Sequence, residues 1–364
     1  MTISRLFEPL TLAHGPVMKN RFMLAPLTNT QSHPDGRLSD EEFHWLTLRA
    51  EGGFGLTMTC AAHVQAVGQG FPGQLGVFGD QHLEGLTRLA SAIRAKGSLA
   101  SVQLHHAGNR SPKELVGQAV CPSDDPKSGA RALTAAEVEG VRDSFIAAAK
   151  RAEQAGFDGV ELHGAHGYIL AEFLSAEINH RTDNYGGSIE NRARIIFEII
   201  DGVRAVTRPD FQLGLRLSPE RFGLKLAEIR DVAAEVLRQG KIDYLDMSLW
   251  DVAKEPNEDE HKGRSLMSYF TDLPRGQVRL GAAGKVMTAE EAAGVLKAGC
   301  DFVVIGRAAI LRHDFPERVR RDAAYRSPAT PVTIEHLANE GLSPPFIKYM
   351  RQWPGFVEEE KPAA

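Results

Sequence analysis

Eight short apolar runs alternate with helix-like segments along the chain, and this alternation limits the possible folds more than any other feature. The runs occupy residues 21–27, 55–62, 98–105, 159–164, 212–218, 244–250, 278–284 and 302–307. A doubly wound sheet usually has fewer strands and a glycine-rich first turn, whereas eight strand–helix repeats are typical of a closed parallel barrel. The sequence therefore predicts an α/β fold, a (β/α)8 TIM barrel with an N-terminal cap and extended loops.

The composition does not change along the chain in a way that would separate domains. A TIM barrel uses about 250 residues, and the 364 residues leave room for an N-terminal segment, two long loops and a tail. We therefore expect one domain over residues 1–364, with the barrel core at about 21–325 and a C-terminal tail at 326–364.

Charge and cysteine content exclude several classes of protein. The net charge of −5 argues against a nucleic-acid or anionic-membrane binder, because both need a concentrated basic surface. Charges interrupt every long apolar stretch, and the first residues lack the pattern of a secretion signal. Cys60, Cys121 and Cys300 are too far apart in sequence for a disulfide framework or a paired metal knuckle. A cytoplasmic enzyme that binds neither nucleic acid nor membrane is expected.

Several helix starts carry the S/T-x-x-E pattern of a capping box, in which side chains satisfy the free N–H groups of the first turn. The pairs are Ser39 with Glu42, Thr134 with Glu137, and Thr288 with Glu291. By contrast, residues 68–73 spell G-x-G-x-x-G but do not lead directly into a helix, so a dinucleotide site is not indicated there.

In a TIM barrel the active site lies on the loops that follow the strands. The seventh and eighth predicted strands end in glycine turns, at Gly281 to Gly284 and at Gly306-Arg307. Bare backbone N–H groups and a nearby cation at these strands commonly bind a phosphate. Ordinary turn chemistry would also explain the glycines, but their position favours a phosphate site.

The segment HGAHGY places His163, His166 and Tyr168 at the end of the fourth strand. The two imidazoles could donate hydrogen bonds to one substrate oxygen, as an oxyanion hole does. They could instead bind a metal, with Glu161 or His105 as the third ligand that a catalytic zinc needs. A third alternative is that both histidines only pack. Donation to an oxygen is favoured among the three.

Two further polar residues lie within strand-like runs. Arg216 is an isolated charge in LGLRLS, and a buried arginine needs a partner, either the anionic group of a cofactor or a carboxylate in the barrel. Gln103 offers both donors and acceptors to the edge of a heterocycle. The sequence contains neither a G-x-S-x-G nucleophile elbow nor a phosphate-loop lysine motif.

Taken together, these motifs resemble the old yellow enzyme family of NADH:flavin oxidoreductases, which are FMN-dependent ene reductases. The resemblance runs from LFEPL and KNRFMLAPLT near the start to VVIGRAAILR near residue 312. Its most specific part is HGAHGYILAEFLSAEINHRTDNYGGSIENRAR at 163–194. The family implies a barrel loaded with FMN that uses NADH or NADPH to reduce the C=C bond of α,β-unsaturated carbonyl compounds. Hydride then goes to Cβ and a proton to Cα.

The resemblance also implies roles for individual residues. The flavin ring would be held by Ala25, Pro26, Leu27, Thr28, Ala61, Gln103 and Arg216, and its phosphate by Gly284, Gly306 and Arg307. Substrate would be bound by His163, His166, Tyr168, Thr30 and Trp250. The histidine pair would bind the carbonyl, and Tyr168 would give the proton. No metal is implied.

The chain departs from the family pattern at two of these positions. Related bacterial members often have Cys and Tyr where this chain has Thr28 and Thr30, so the flavin potential and the substrate contacts are expected to differ. Trp250 either walls the pocket or only packs. The expected partner is a small enone-type molecule, and assembly into a homo-oligomer is left open.

Two other classes of function remain as alternatives at this point. One is a metal-dependent barrel hydrolase or lyase that uses His163, His166 and His105. The other is a barrel that binds flavin or phosphate without turnover.

Overall fold

The computed structural model describes residues 3–359, and its centre is a closed parallel barrel. The strands are β1 (Phe22–Leu24), β2 (Leu56–His63), β3 (Leu99–His105), β4 (Val120–Cys121), β5 (Arg131–Ala132), β6 (Gly159–Gly164), β7 (Gln212–Leu217), β8 (Tyr244–Ser248), β9 (Arg279–Ala283) and β10 (Phe302–Ile305). Around the barrel the order is β1-β10-β9-β8-β7-β6-β3-β2, so the first and last strands of the chain are neighbours. This closed barrel confirms the predicted fold class.

Helices follow most of the barrel strands and cover the outside of the barrel. They are α1 (Asp40–Glu51), α2 (Leu83–Ala95), α3 (Lys113–Val116), α4 (Ala135–Gln154), α5 (Ile169–Leu174), α6 (Ile189–Val206), α7 (Leu226–Gln239), α8 (Ser268–Thr271), α9 (Ala289–Lys297), α10 (Arg307–Leu311), α11 (Phe315–Arg321), α12 (Ile334–Asn339) and α13 (Pro344–Met350). Within residues 3–359, none of these helices has the length and apolar character needed to cross a membrane.

Each barrel strand coincides with one of the eight predicted runs, although β2 continues one residue past its run to His63 and β1 is shorter than predicted. It ends at Leu24, and residues 25–28 continue as irregular chain past the strand end. The N–H of Ala25 still donates to the carbonyl of Ile305 on β10, at 3.0 Å. The irregular segment is thereby fixed against the last strand and can present its side chains to the barrel mouth.

The lower part of the barrel interior is filled by side chains. The rings of Tyr244 and Phe302 pack edge to face, with centroids 5.7 Å apart. Glycines make room for them, because a Cβ atom at Gly214 would lie 2.2 Å from the Tyr244 ring and one at Gly281 would lie 2.1 Å from the Phe302 ring. The barrel is therefore packed with side chains towards the N-terminal ends of its strands and can hold a ligand only towards their C-terminal ends.

The capping prediction is confirmed at Thr134 and Thr288, where both halves of the capping box are present. At the start of α1 only one half forms, because Ser39 accepts from the N–H of Glu42 while the Glu42 carboxylate binds Asn29 and Ser32. Glu42 is fully buried, and burial raises its pKa. The loop that follows β1 is thus tied to α1 through this carboxyl group.

The tail folds back onto the barrel through α12 and α13. Arg49 on α1 is buried and donates to the carbonyls of Ala309 and Glu340, which joins α1, α10 and α12. In addition, the Oε1 atom of Gln31 accepts from the N–H of Ser343 at 3.0 Å. The segment that carries α13 is therefore held beside the mouth of the barrel.

Candidate active site

A cavity of about 220 Å³ opens at the C-terminal ends of the barrel strands, beside the contact between β1 and β10. It is lined by Ala25, Pro26, Leu27, Thr28, His166, Arg216, Ser248, Trp250, Ala283, Gly284, Lys285, Val286, Val304, Gly306, Arg307, Ile310, Tyr349, Met350, Trp353 and Phe356. A second cavity of about 700 Å³ shares Lys285, Arg307, Trp353 and Phe356 with it. Together they offer the several hundred Å³ (roughly 300 or more) that small-molecule sites usually occupy.

The charged residues that line the first cavity are cations. Arg216 lies on β7 and is buried, whereas Arg307 lies on the exposed rim. The Nζ atom of Lys285 contacts Asp251 at 3.0 Å. The remaining walls are largely apolar. Such a cavity suits a flat ligand that carries a polar ring edge near Arg216 and an anionic group near Lys285 and Arg307.

Most of the residues assigned to FMN from the sequence line this cavity. These are Ala25, Pro26, Leu27, Thr28, Arg216, Gly284, Gly306 and Arg307. Gly284 is needed for a close backbone approach, because a Cβ atom there would lie 2.7 Å from the amide nitrogen of Asp251. Of the expected substrate residues, His166 and Trp250 line the cavity, and the indole of Trp250 is 47% exposed and stacks on Arg221.

The structure places the other expected residues outside the cavity wall. Gln103 is buried and its Nε2 donates to Glu161 at 2.8 Å. The carbonyl of Ala61 accepts from Gln74. Thr30 has a left-handed backbone with a φ of 55°, and its buried hydroxyl has no protein partner among the described residues. For these three residues the assigned ligand contacts stay predictions.

His163 and His166 form a hydrogen-bonded chain with Ser248. The Nε2 atom of His163 lies 2.9 Å from Nδ1 of His166, and Nε2 of His166 lies 2.7 Å from the Ser248 hydroxyl. His166 takes a left-handed backbone with a φ of 61°, which turns its ring towards the cavity. Burial lowers the pKa of both histidines, that of His166 to about 3. Both imidazoles are therefore neutral at neutral pH.

Tyr168 packs against His163 of this pair. Its ring centroid lies 5.0 Å from that of His163 and 4.4 Å from that of His105, and the Arg110 guanidinium lies 5.0 Å above the ring. Arg110 also donates to the carbonyl of His166. Burial raises the pKa of the Tyr168 phenol, so the hydroxyl keeps its proton at neutral pH. A neutral proton donor therefore lies next to two neutral imidazoles.

The three histidines of the metal alternative do not form a metal site. Within residues 3–359, only Glu258, Glu260 and His261 bring three possible ligand atoms close enough to share one ion. His105 instead lies 3.0 Å from Gln74 through its Nδ1 atom, and its ring centroid is 5.2 Å from that of His163. The barrel hydrolase or lyase alternative thus lacks the ligand geometry that it requires.

Arg216 has a carboxylate partner inside the barrel. Its Nε atom lies 3.0 Å from Oδ2 of Asp246, which is fully buried on the neighbouring strand β8. The sequence left open whether a carboxylate or a cofactor anion would pair with Arg216. The structure shows the carboxylate, and it also shows that Arg216 reaches the cavity wall.

Sequence reasoning missed several residues of the cavity wall. Lys285 directly follows the predicted glycine turn, so the charge beside Gly284 was a usable signal. Tyr349, Trp353 and Phe356 come from the tail, and no motif in the sequence points to their place in the site. Only the folded chain shows that the tail reaches the barrel mouth.

Comparison with known proteins agrees with this geometry. The model of the NADH:flavin oxidoreductase / NADH oxidase family matches residues 5–325. The chain belongs to the old yellow enzyme family. A probable NADH-dependent flavin oxidoreductase, YqiG of Bacillus subtilis, is 37% identical to this chain over 327 residues, which cover 86% of the chain and 87% of the relative. An NADPH dehydrogenase of the same species is 34% identical over 342 residues, with 91% and 98% covered.

Solved structures give the same result. The old yellow enzyme homologue from Zymomonas mobilis aligns with a TM-score of 0.79 and 28% identity over 91% of this chain and 96% of the homologue. Morphinone reductase in complex with tetrahydroNAD aligns with a TM-score of 0.76 and 30% identity, covering 91% and 93%. The protein is accordingly a flavin-dependent oxidoreductase with FMN as cofactor and a nicotinamide as reductant.

Proposed function

We propose that FMN binds in the first cavity, with its ring along residues 25–28 and Arg216 and its phosphate beside Lys285 and Arg307. The support is the distribution of charge: one buried cation at the deep end, two cations at the rim, and apolar walls between them. A guanidinium at the rim suits phosphate because its planar fork can make two parallel hydrogen bonds.

We further propose that the enzyme reduces the C=C bond of α,β-unsaturated carbonyl compounds. FMN, when bound and reduced by NADH or NADPH, supplies the hydride that the substrate receives at Cβ. The chain has to hold the carbonyl oxygen, where negative charge develops, and to provide a proton for Cα. The histidine pair and Tyr168 offer these two functions side by side.

The histidine pair has to rearrange to hold an oxygen with both rings. Two neutral imidazoles carry two N–H groups, and one of these is used between His163 and His166. A carbonyl oxygen that accepts from both rings therefore replaces the bond between them, and one ring must move its proton to the nitrogen that faces this oxygen. Ser248 remains bonded to His166 and can keep that ring in place during the exchange.

The observation that carries this proposal is the chain from His163 through His166 to Ser248, which ends in the cavity wall and has Tyr168 packed against His163. The test is anaerobic turnover of a panel that contains cyclohexenone, the matching saturated ketone and a simple alkene. We expect the enone to yield the saturated ketone and the other two compounds to remain unchanged. Reduction at the carbonyl, or bound FMN without turnover of any enone, would contradict the proposal.

We also propose that barrel and tail act as one unit. Tyr349, Met350, Trp353 and Phe356 complete the cavity wall although they lie beyond residue 325. A chain shortened to residues 1–325 should therefore bind FMN more weakly than the full chain, as measured by retention of the flavin on gel filtration.

A further inference from the structure

Two buried carboxyl groups lie inside the barrel behind Arg216. Glu161 lies on β6, Arg216 on β7 and Asp246 on β8, and all three are at most 4% exposed. Of the three, only Arg216 reaches the cavity wall. Because residues two apart on a strand point to the same face, Glu161 and His163 both point inward. The two acids therefore face the ligand only through the arginine.

The hydrogen bonds of these acids are incomplete. One oxygen of Glu161 accepts from Gln103 at 2.8 Å, whereas the other has no protein partner among residues 3–359. Asp246 contacts the Arg216 Nε atom at 3.0 Å, but within the same residues neither of its oxygens has a well-aligned hydrogen bond. Two full negative charges with so few donors would be costly to bury.

The groups around Glu161 and Asp246 show how the negative charge of these two carboxyl groups can be balanced. Glu161 is faced by Gln103 from β3, by Arg216 from β7, and by Asp246 and the Tyr244 phenol from β8. Arg216 is the one cation in this set, so two ionised carboxyl groups would leave a net negative charge. A single proton on the pair makes the whole group neutral.

The expected location of that proton is Glu161. Burial, and then the charge of Asp246, raises the pKa of Glu161, while Arg216 opposes the shift. Burial also raises the pKa of Asp246, but Asp246 is in direct contact with the guanidinium that stabilises its ionised form. Asp246 thus offsets part of the charge on Arg216, and Glu161 holds the proton.

We propose that Glu161 and Asp246 share one proton and act through Arg216 as positioning residues that adjust the charge presented to the flavin. Two electrons that enter a flavin beside Arg216 add negative charge at the cavity wall. The guanidinium is drawn towards this charge and compensates the carboxyl pair less, so the pair binds its proton more tightly. Reduction is then accompanied by uptake of one additional proton from solvent at a pH where the pair is otherwise fully ionised.

The test measures the midpoint potential of the bound FMN against pH, with dithionite and reference dyes in place of an enone. Each proton taken up with two electrons changes the equilibrium constant tenfold per pH unit, which is about 30 mV. We expect the wild-type slope to steepen by this amount above neutral pH and the slope of Glu161→Gln to stay constant. Asp246→Asn should raise the potential, because Arg216 loses its counter-charge. Equal slopes in wild type and Glu161→Gln would overturn the proposal.

Glu172→Gln is the matched control. Glu172 is also a fully buried carboxyl group, but it lies on α5 and accepts from the N–H of Asn109 rather than pairing with Arg216. Its slope should equal that of the wild type. If the variants do not fold, the infrared difference spectrum of the wild type on reduction replaces them. It should show the C=O stretch of a protonated carboxyl group that shifts in D2O, and a spectrum without this band would overturn the proposal.

This inference rests on the proposed position of FMN beside Arg216, and its failure can be told apart from failure of the proposed reaction. Enone turnover with equal slopes would reject the shared proton alone. If the midpoint potentials show the predicted pH slopes but no enone is turned over, the proposed reaction alone would be rejected.

Discussion

His163 and His166 hydrogen-bond to each other across 2.9 Å, and this bond has to open before both rings can donate to one oxygen. A phenolate is a suitable probe because its oxygen is a strong acceptor. We expect para-hydroxybenzaldehyde to bind to the FMN-loaded enzyme and to produce a long-wavelength absorption band. In 15N NMR of histidine-labelled protein, the resonances of the bonded Nε2 and Nδ1 atoms should shift on binding. Unchanged histidine resonances would contradict this.

Removal of either imidazole ring should weaken binding of the phenolate probe. His163→Ala and His166→Ala each remove one donor to a charged oxygen, which is worth about 1.5–3 kcal/mol, or roughly tenfold to a hundredfold in Kd. His180→Ala is the control because His180 is exposed. Titration of the absorption band measures all three. A pair that only packs would leave the Kd unchanged in every variant.

Tyr168→Phe should separate the two half-reactions. The variant keeps the ring that packs on His105 and His163 and loses only the hydroxyl. General-acid catalysis contributes about 100-fold to 10,000-fold, so oxidation of the reduced enzyme by cyclohexenone should slow by that order. FMN content and reduction by the nicotinamide should not change.

Oxygen serves as the internal control for Tyr168→Phe, because reduction of oxygen needs no proton on carbon. Stopped-flow traces should show normal oxidation by oxygen and slow oxidation by the enone. If both acceptors slow equally, the hydroxyl only supports the loop.

Arg307→Ala should weaken FMN binding. Loss of a charge-assisted contact to phosphate costs about 1.5–3 kcal/mol, which is roughly tenfold to a hundredfold in Kd. The Kd of Arg307→Lys for FMN should lie between that of the wild type and that of Arg307→Ala, since an ammonium keeps the charge but lacks the planar fork. Arg321→Ala is the control, because Arg321 is exposed at the C-terminal end of α11. Quenching of FMN fluorescence by apoprotein gives the Kd values, and equal values for the three variants would remove Arg307 from the phosphate site.

The tail should loosen in acid. Burial alone would raise the pKa of Glu340, but hydrogen bonds from His313 and Arg312 lower it to about 2, from an ordinary value of 4.5. The stabilisation is therefore complete above about pH 4.5 and is lost as the pH falls through about 2. At 1.36 kcal/mol per pKa unit it amounts to about 3 kcal/mol.

Urea unfolding at pH 6 and pH 3 measures this effect. The free energy of unfolding of Glu340→Gln should lie about 3 kcal/mol below that of the wild type at pH 6, and the difference should shrink at pH 3. Glu335→Gln, in the exposed first turn of α12, should match the wild type at both values. A difference that does not depend on pH would assign the effect to packing.

The barrel was predictable because its signal is local. Each buried strand appears in the sequence as an apolar run, and the turn that follows it carries residues such as Gly284 and Arg307. Since all barrel strands are parallel, residues after different strands meet at one end without any knowledge of register. Most of the cavity wall could be identified for this reason.

What could not be predicted depends on contacts between distant parts of the chain. Asp246 meets Arg216 because of the register of two strands, and a shift of one residue would point the carboxylate outward. The tail reaches the cavity through bonds such as Gln31 to Ser343, which join residues 312 positions apart. Thr30 was assigned to substrate from the family resemblance, and its left-handed backbone, with a φ of 55°, has no signal in the sequence; its contact with substrate stays a prediction.

The contact between β1 and β10 determines when the cofactor site can exist during synthesis. Residues 25–28 are synthesised long before Gly306 and Arg307, which lie on the other side of this contact. Neither half of the cavity has its opposite wall until the last strand has closed the barrel. With FMN at the proposed position, the flavin is captured only after the last strand has been synthesised and has closed the barrel, and flavin supply in the growing cell should affect how much of the enzyme is active.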